Sequence, residues 1–273
     1  MNLKFLRKRI GQVRYVKRPG QVWRFFFSKV KSIEIAIIWA CNFKCPGCYA
    51  EDLKNPKTFL TKEQVVGFIK KYKPMHVNLT GGEPLLHPEL YGIIREIPKS
   101  VVISLVTNGS LLNEEKVKRL KEAGLNTIQI SFGKNYPLDN LEKAKLAKKA
   151  GLNVCLSVTN TFENKGHIIK AIKFGEENNI HILWNLPMGI LEKQFDKETY
   201  FKYRNHQLVR EDNMFWAGRN KCPAGREKIY ITARGELMPC DRLHKVYKDL
   251  ESMRKDFKGN KIWCSRLGDI DKK

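Results

Sequence analysis

The chain has 273 residues, 42% hydrophobic and 10% aromatic, enough to bury one large core or two ordinary ones, which excludes wholesale disorder. Its most apolar run, residues 33–40, is eight long and already holds Glu34, too short for a membrane helix of about twenty, and no apolar signal-peptide stretch follows Met1, so neither spanning nor export is expected. The formal net charge is +23, and residues 1–32 carry ten Lys/Arg and no acid, a basic head that points to an anionic partner.

In chain order, residues 33–39 are apolar and β-branched and predict a buried strand. Thr61-Lys62-Glu63-Gln64 fits a capping box, and Val65, Phe68, Ile69 and Tyr72 follow at helical spacing. Residues 76–80 predict a second strand and 88–97 a second helix, with Pro88 near its start. Residues 101–107 form the third strand. Asn113 caps a helix with Val117 and Leu120 inward, Glu114–Lys118 and Glu115–Arg119 pairs outward, and Gly124 at its C-terminus. Residues 127–132, 138–150, 153–159, 168–177 and 180–186 continue the alternation of strand and helix. Six strands alternating with helices mean parallel βαβ units, hence an α/β fold, either doubly wound or barrel. The charged segment 191–219 is expected to be helical in part. Beyond it, residues 229–232 and 236–238 predict a hairpin turning at Ala233-Arg234-Gly235.

Seven cysteines in a chain without an export signal favour metal or redox chemistry over a disulfide framework. Cys41, Cys45 and Cys48 stand as C-x3-C-x2-C directly after the first strand, with Pro46 and Gly47 favouring a turn. A structural zinc site normally takes four ligands, usually in two separated pairs. Three thiolates on one loop suit an iron–sulfur cluster that leaves one iron without a protein ligand, open to a small molecule. The second strand ends in Thr80-Gly81-Gly82-Glu83-Pro84. The glycines permit close backbone approach, Glu83 can accept from an ammonium, and Pro84 stiffens the exit. The third strand ends in Thr107-Asn108-Gly109 and the fourth in Ile130-Ser131-Phe132-Gly133. Every candidate lies just past the C-terminal end of a strand, where α/β enzymes place their chemistry.

These motifs resemble the radical S-adenosylmethionine (SAM) superfamily. The resemblance covers about residues 33–190 and implies a partial (β/α)6 TIM-like barrel. It further implies that Cys41, Cys45 and Cys48 bind a [4Fe-4S] cluster, that SAM chelates the open iron, and that reductive cleavage of SAM yields a 5′-deoxyadenosyl radical for hydrogen abstraction. Gly81, Gly82, Glu83, Pro84, Thr107, Asn108 and Ser131 would position SAM. Gly47 stands where the family usually has an aromatic residue, with Tyr49 following the third cysteine instead. Cys222, then twelve residues, then Gly235 and Cys240, resembles the opening of the SPASM extension. With only Cys264 remaining, it looks more like the shortened twitch form, in which Cys222, Cys240 and Cys264 would hold an auxiliary [4Fe-4S] cluster. Cys155, mid-strand in an apolar context, reads as a core thiol.

The organisation expected is a basic N-terminal segment (1–32), the barrel (33–190), a connecting helical segment (191–221) and a small hairpin-and-helix extension (222–273). The tail's resemblance favours a peptide or protein side chain as substrate, with an electron donor such as a ferredoxin or flavodoxin. In the basic head, Trp23, Phe26, Phe27 and Val30 recur at helical spacing. This head keeps tRNA, a lipid headgroup or an anionic membrane surface open beside plain packing under the barrel. A cytoplasmic enzyme, with peripheral membrane contact as a second outcome of that head, is the expectation. The different class of answer is a non-catalytic iron–sulfur or zinc protein that binds nucleic acid. The six histidines show no metal-ligand spacing, and only His87 stands near the glycine-rich motif.

Overall fold

The computed structural model describes residues 28–50, 57–187, 194–211 and 223–257. The aromatic positions of the basic head (Trp23, Phe26 and Phe27) lie outside the described residues, as do Cys222 and Cys264. Strands β1 (Ser32–Ile38), β2 (His76–Gly81), β3 (Val102–Thr107), β4 (Thr127–Ser131), β5 (Asn153–Thr159) and β6 (His181–Asn185) alternate with helices. Those helices are α1 (Lys62–Tyr72), α2 (Leu90–Glu96), α3 (Glu114–Ala123), α4 (Asn140–Lys149) and α5 (Lys165–Asn178). Helix α6 (Lys197–Tyr203) and strands β7 (Val209–Glu211), β8 (Lys228–Ile231) and β9 (Leu237–Met238) follow, then α7 (Leu250–Phe257).

The local signals act as expected. Thr61 and Gln64 exchange both bonds of the capping box at α1, and the Asn113 side chain accepts from Lys116 N at α3, which ends on Gly124 at φ +111°. Arg119 pairs with Glu115 at 3.4 Å, but Lys118 turns to Glu122 at 4.0 Å instead of Glu114. On an exposed helix such pairs are worth a few tenths of a kcal/mol, too little to fix one partner over another.

The strands form one sheet in the order β7-β6-β5-β4-β3-β2-β1-β8-β9, parallel throughout except for the β8–β9 hairpin. Its two end strands do not pair, so the barrel is partial. Alternation along each strand separates two chemistries. Ile33, Ile35, Val77, Leu79, Ile103, Leu105, Ile128, Ile130, Leu156, Val158, Ile182 and Trp184 are buried in one continuous core. At roughly 1.5–3 kcal/mol for each fully buried side chain, that face holds the helices on. The opposite face carries Ser32, Glu34, His76, Asn78, Ser104, Gln129, Ser131, Cys155, Ser157 and Asn185, which line the interior cavities.

Two features lie beyond the sequence reading. The charged segment contains not only α6 but also β7, which extends the sheet by pairing parallel to β6. The hairpin forms as expected, with Tyr230 opposite Met238 and Ile231 opposite Leu237. It also joins the barrel sheet, because β8 runs parallel to β1 from Ser32↔Lys228 to Ile35↔Ile231. Among the described residues, no helix is long and apolar enough to cross a membrane.

Candidate active site

Strand β1 changes register against β2 between Ala36 and Ile38, a bulge that re-aims the chain just before the cysteine loop. In that loop Cys48 N donates to Cys45 O at 3.3 Å, Gly47 takes φ +64°, and Phe43 N donates to Cys41 Sγ at 3.4 Å. Cys41, Cys45 and Cys48 are half-buried and line one cavity of about 470 Å³, together with Gly81, Gly82, Thr107, Asn108 and Ser131. Among the described residues, no three His, Cys, Asp or Glu side chains are gathered so as to hold a metal ion. A four-iron cube takes one thiolate per corner, so its donors stand around a space instead of converging on a point. Three thiols in the wall of one cavity have the donor chemistry for such a cluster.

The Gly81-Gly82-Glu83-Pro84 segment does something the sequence did not reveal. A Cβ at Gly81 would lie 2.1 Å from Ile38 O, and one at Gly82 2.1 Å from Ala40 O. The glycines therefore let the exit of β2 press against the exit of β1, under the cysteine loop, with Gly82 N donating to Ile38 O and Glu83 N to Ala40 O. Glu83 is fully buried and Pro84 is buried, and neither lines the cavity. The Glu83 carboxylate accepts from Thr107 Oγ1 at 2.7 Å, Asn108 N at 2.8 Å and Leu85 N at 3.0 Å. Burial pushes its pKa up, while these donors pull it back down. Glu83 is thus a brace between the exits of β2 and β3.

Asn140, at the start of α4, was not singled out in the sequence. It is fully buried and donates through Nδ2 to Asn108 O at 2.9 Å and Ser131 O at 2.8 Å, tying β3's exit to β4's. Gly109, at φ +77°, makes room for it, since a Cβ there would lie 2.5 Å from Asn140 Oδ1. Asn108 Nδ2 in turn donates to Asn42 Oδ1 at 2.9 Å, linking this frame to the cysteine loop.

Tyr49 lines the cavity with its tip tethered. Its hydroxyl donates to Gly81 O at 2.9 Å and is buried, which raises its pKa. The rest of the aromatic wall comes from Phe43 and Tyr136, stacked at 6.2 Å with 22° between planes. The Tyr136 hydroxyl reaches both Cys45 and Ser131, and burial followed by the Cys45 charge raises its pKa. Deeper in the cavity Lys228 pairs with Glu34 at 2.8 Å and Arg242 with Asp241 at 3.7 Å. Asn185 donates to Ser157 Oγ at 2.6 Å, and the buried Asn78 Oδ1 has no hydrogen-bond partner.

Of the tail cysteines, only Cys240 is described. Burial, then the Asp241 charge, pushes its thiol up to about 12, opposed by the amides of Arg242 and Leu243. Cys155 faces the interior from β5, a thiol pushed up to about 12 by burial. His87 stays out of the cavity, with Nε2 against Leu60 O at 2.8 Å and Nδ1 accepting from Glu89 N at 3.1 Å, a neutral ring fixed in its loop.

The radical SAM superfamily model matches residues 37–175. Over 105 residues the chain is 36% identical to the probable GTP 3′,8-cyclase of Archaeoglobus fulgidus, covering 37% of this chain and 35% of that protein. Over 115 residues it is 38% identical to the GTP 3′,8-cyclase of Microcystis aeruginosa, covering 38% and 35%. The chain thus spans about a third of the length of these curated relatives. Streptococcus suis SuiB bound to the precursor peptide SuiA has a similar fold, with TM-score 0.66 and 15% identity over 99% of this chain and 71% of that one. So does anSMEcpe with bound AdoMet and the Cp18Cys peptide, with TM-score 0.60 and 18% identity over 85% and 81%. With half of its length matched by the family model, the chain belongs to the radical SAM superfamily, enzymes that use a [4Fe-4S] cluster and S-adenosylmethionine.

Proposed function

We propose that this radical SAM enzyme abstracts hydrogen from a side chain of a peptide or protein. In this reading residues 33–190 are the catalytic barrel, Cys41, Cys45 and Cys48 hold the cluster, and Gly81, Gly82, Thr107, Asn108 and Ser131 contact SAM. Glu83 and Pro84 hold those contacts in place from behind. When bound, cluster and SAM supply a carbon-centred radical able to abstract hydrogen. The chain's own part is to hold three thiolates, wall SAM between the exits of β2, β3 and β4, and orient the substrate in the polar interior.

The charge inventory of the cavity carries the choice of substrate. Its described charged side chains, His76 aside, are Glu34, Glu211 and Asp241 against Lys228 and Arg242, with Lys228 and Arg242 already beside carboxylates. A polyanionic triphosphate entering there would meet more acid than base. A peptide would meet Asn78, Gln129, Ser157 and Asn185, side chains that hydrogen-bond amides. The fold likeness to peptide-bound SuiB over nearly the whole chain supports the same choice. The likeness to GTP 3′,8-cyclases covers little more than a third of this chain, so a nucleotide substrate is the second reading. Cys240, with Cys222 and Cys264, is proposed to hold an auxiliary cluster, because two backbone amides already point at its sulfur.

The test is anaerobic reconstitution with iron and sulfide, then 5′-deoxyadenosine formation from SAM and dithionite. A whole-cell peptide fraction should raise turnover above the uncoupled rate, and GTP should leave it unchanged. Stimulation by GTP with none by peptides would overturn the substrate reading, and a colourless protein that leaves SAM intact would overturn the cluster assignment.

A further inference from the structure

The interior of a (β/α) barrel is ordinarily packed by layers of branched apolar side chains. Here the middle layer is Ser32, His76, Gln129 and Lys228, with only Leu183 as a branched aliphatic, and these five residues line two cavities at once. One is the cavity under the cysteine loop. The other, about 740 Å³, opens at the opposite, N-terminal end of the strands.

The lower cavity has a different chemistry. Four cations line it, Lys31 just before β1, Lys148 on α4, Arg210 on β7 and Lys228 on β8, with one carboxylate, Glu227. Lys228 is tied to Glu34, whereas Arg210 and Lys148 are held by carbonyls. Arg210 Nη1 donates to Gln207 O and Val209 O, and Lys148 Nζ to Asn178 O and Asn179 O. Carbonyls orient a cation without cancelling its charge, even where the C-terminal dipole of α5 offsets part of it. Groups inside feel the field: His181 is pushed down by burial, then by Arg210 and Lys148, and His76 by burial, then by Lys228. Between the cations the wall is mixed, an apolar part from Met75, Val102, Leu152, Val154, Ile180 and Leu183 beside polar Ser104, Thr127, Gln129 and Asn153.

We propose that this lower cavity binds a phosphomonoester carried on a small apolar body. Several cations around one rim suit a dianion with three acceptor oxygens better than a carboxylate, and the apolar part of the wall between them suits a ring or short chain. The proposal does not depend on the peptide-substrate reading, which concerns the other cavity.

The experiment is calorimetric titration of the full-length protein with phenyl phosphate, inorganic phosphate and benzyl alcohol. Phenyl phosphate should bind more tightly than inorganic phosphate, benzyl alcohol should not bind measurably, and added salt should weaken binding. Arg210→Gln and Lys148→Gln should each weaken phenyl phosphate by about tenfold, the loss expected of one charge-assisted contact, while SAM affinity stays unchanged. Two independent variants guard against one of them failing to fold, and the His181 ring resonance, shifting on addition of phenyl phosphate, locates the site. Absence of saturable binding, or binding equal in wild type and both variants, would overturn the proposal.

Discussion

The two ends of this barrel are built from the same strands yet present opposite chemistries. Where the strands end, three thiols stand over paired charges and amides, and the exits of β2, β3 and β4 are tied together by buried polar bonds. Where the strands begin, cations set mostly on helix and strand ring a partly apolar hollow, and the loops add apolar residues such as Met75, Leu152 and Ile180. Both depend on a polar inward face, which a packed barrel core would not tolerate. One fold therefore hosts two chambers around a central layer that is largely hydrophilic.

The largest blow to the upper chamber alone is Cys45→Ala. Removing one of three thiolates should abolish iron retention and 5′-deoxyadenosine formation, read by the cluster's visible absorbance and by chromatography, while phenyl phosphate affinity is untouched. Loss of both would make the chambers one unit. Next is Glu83→Ala, which strands the buried Asn108 N–H and Thr107 hydroxyl. It should cost about 3 kcal/mol of stability in denaturant unfolding, from breaking a buried charge-assisted network, and weaken SAM binding more than phosphate binding. A cost under 1 kcal/mol would mean that Glu83 braces nothing.

The upper chamber was far more legible in sequence than the lower, for a physical reason. Its thiols lie within eight residues and its glycines next to each other, because a loop that wraps a cluster uses local spacing. The six strand–helix units were equally readable from period-two and period-3.6 patterning with caps at Thr61 and Asn113. What escaped depends on tertiary pairing. Strand β7 has three residues, too few for periodicity, and the docking of β8 on β1 joins positions almost 200 residues apart. Asn140 is one polar residue in an amphipathic helix until folding places it between two strand exits. Glu83 reads as an ammonium acceptor on its motif, and the bracing donors it also meets come from β3 and its exit, beyond the reach of local spacing. The lower cations, at 31, 148, 210 and 228, carry no shared local signature at all.

His76 sits at the waist between the chambers, with Nδ1 at 3.1 Å from Ser32 Oγ and Nε2 at 2.8 Å from Ser104 Oγ. Burial, then Lys228, pushes it down from 6.5 to about 4, so the folded protein holds it neutral where the unfolded chain would take up a proton. The stability it contributes is present above pH 6.5 and is lost as pH falls toward 4. The loss should approach about 2 kcal/mol, allowing for solvent in the cavities that it lines. His76→Gln should flatten the acid limb of the unfolding free energy, and an unchanged limb would show that the waist is wet enough to leave the imidazole unperturbed.

The subtlest expected effect separates the aromatic wall from its polar tip. Tyr136→Phe keeps the ring stacked on Phe43 but deletes the hydroxyl that reaches Cys45 and Ser131. One hydrogen bond at a partly buried site is worth about 1 kcal/mol, so the protein should fold, and SAM affinity should fall only a few-fold. The cluster's reduction potential should move downward, because a donor to a ligating sulfur stabilises the more negative, reduced state. A redox titration followed by electron paramagnetic resonance reads this directly, and phosphate binding at the far end provides the internal control. A potential that stays put while SAM affinity falls would assign the hydroxyl to Ser131 and the cofactor instead of to the sulfur.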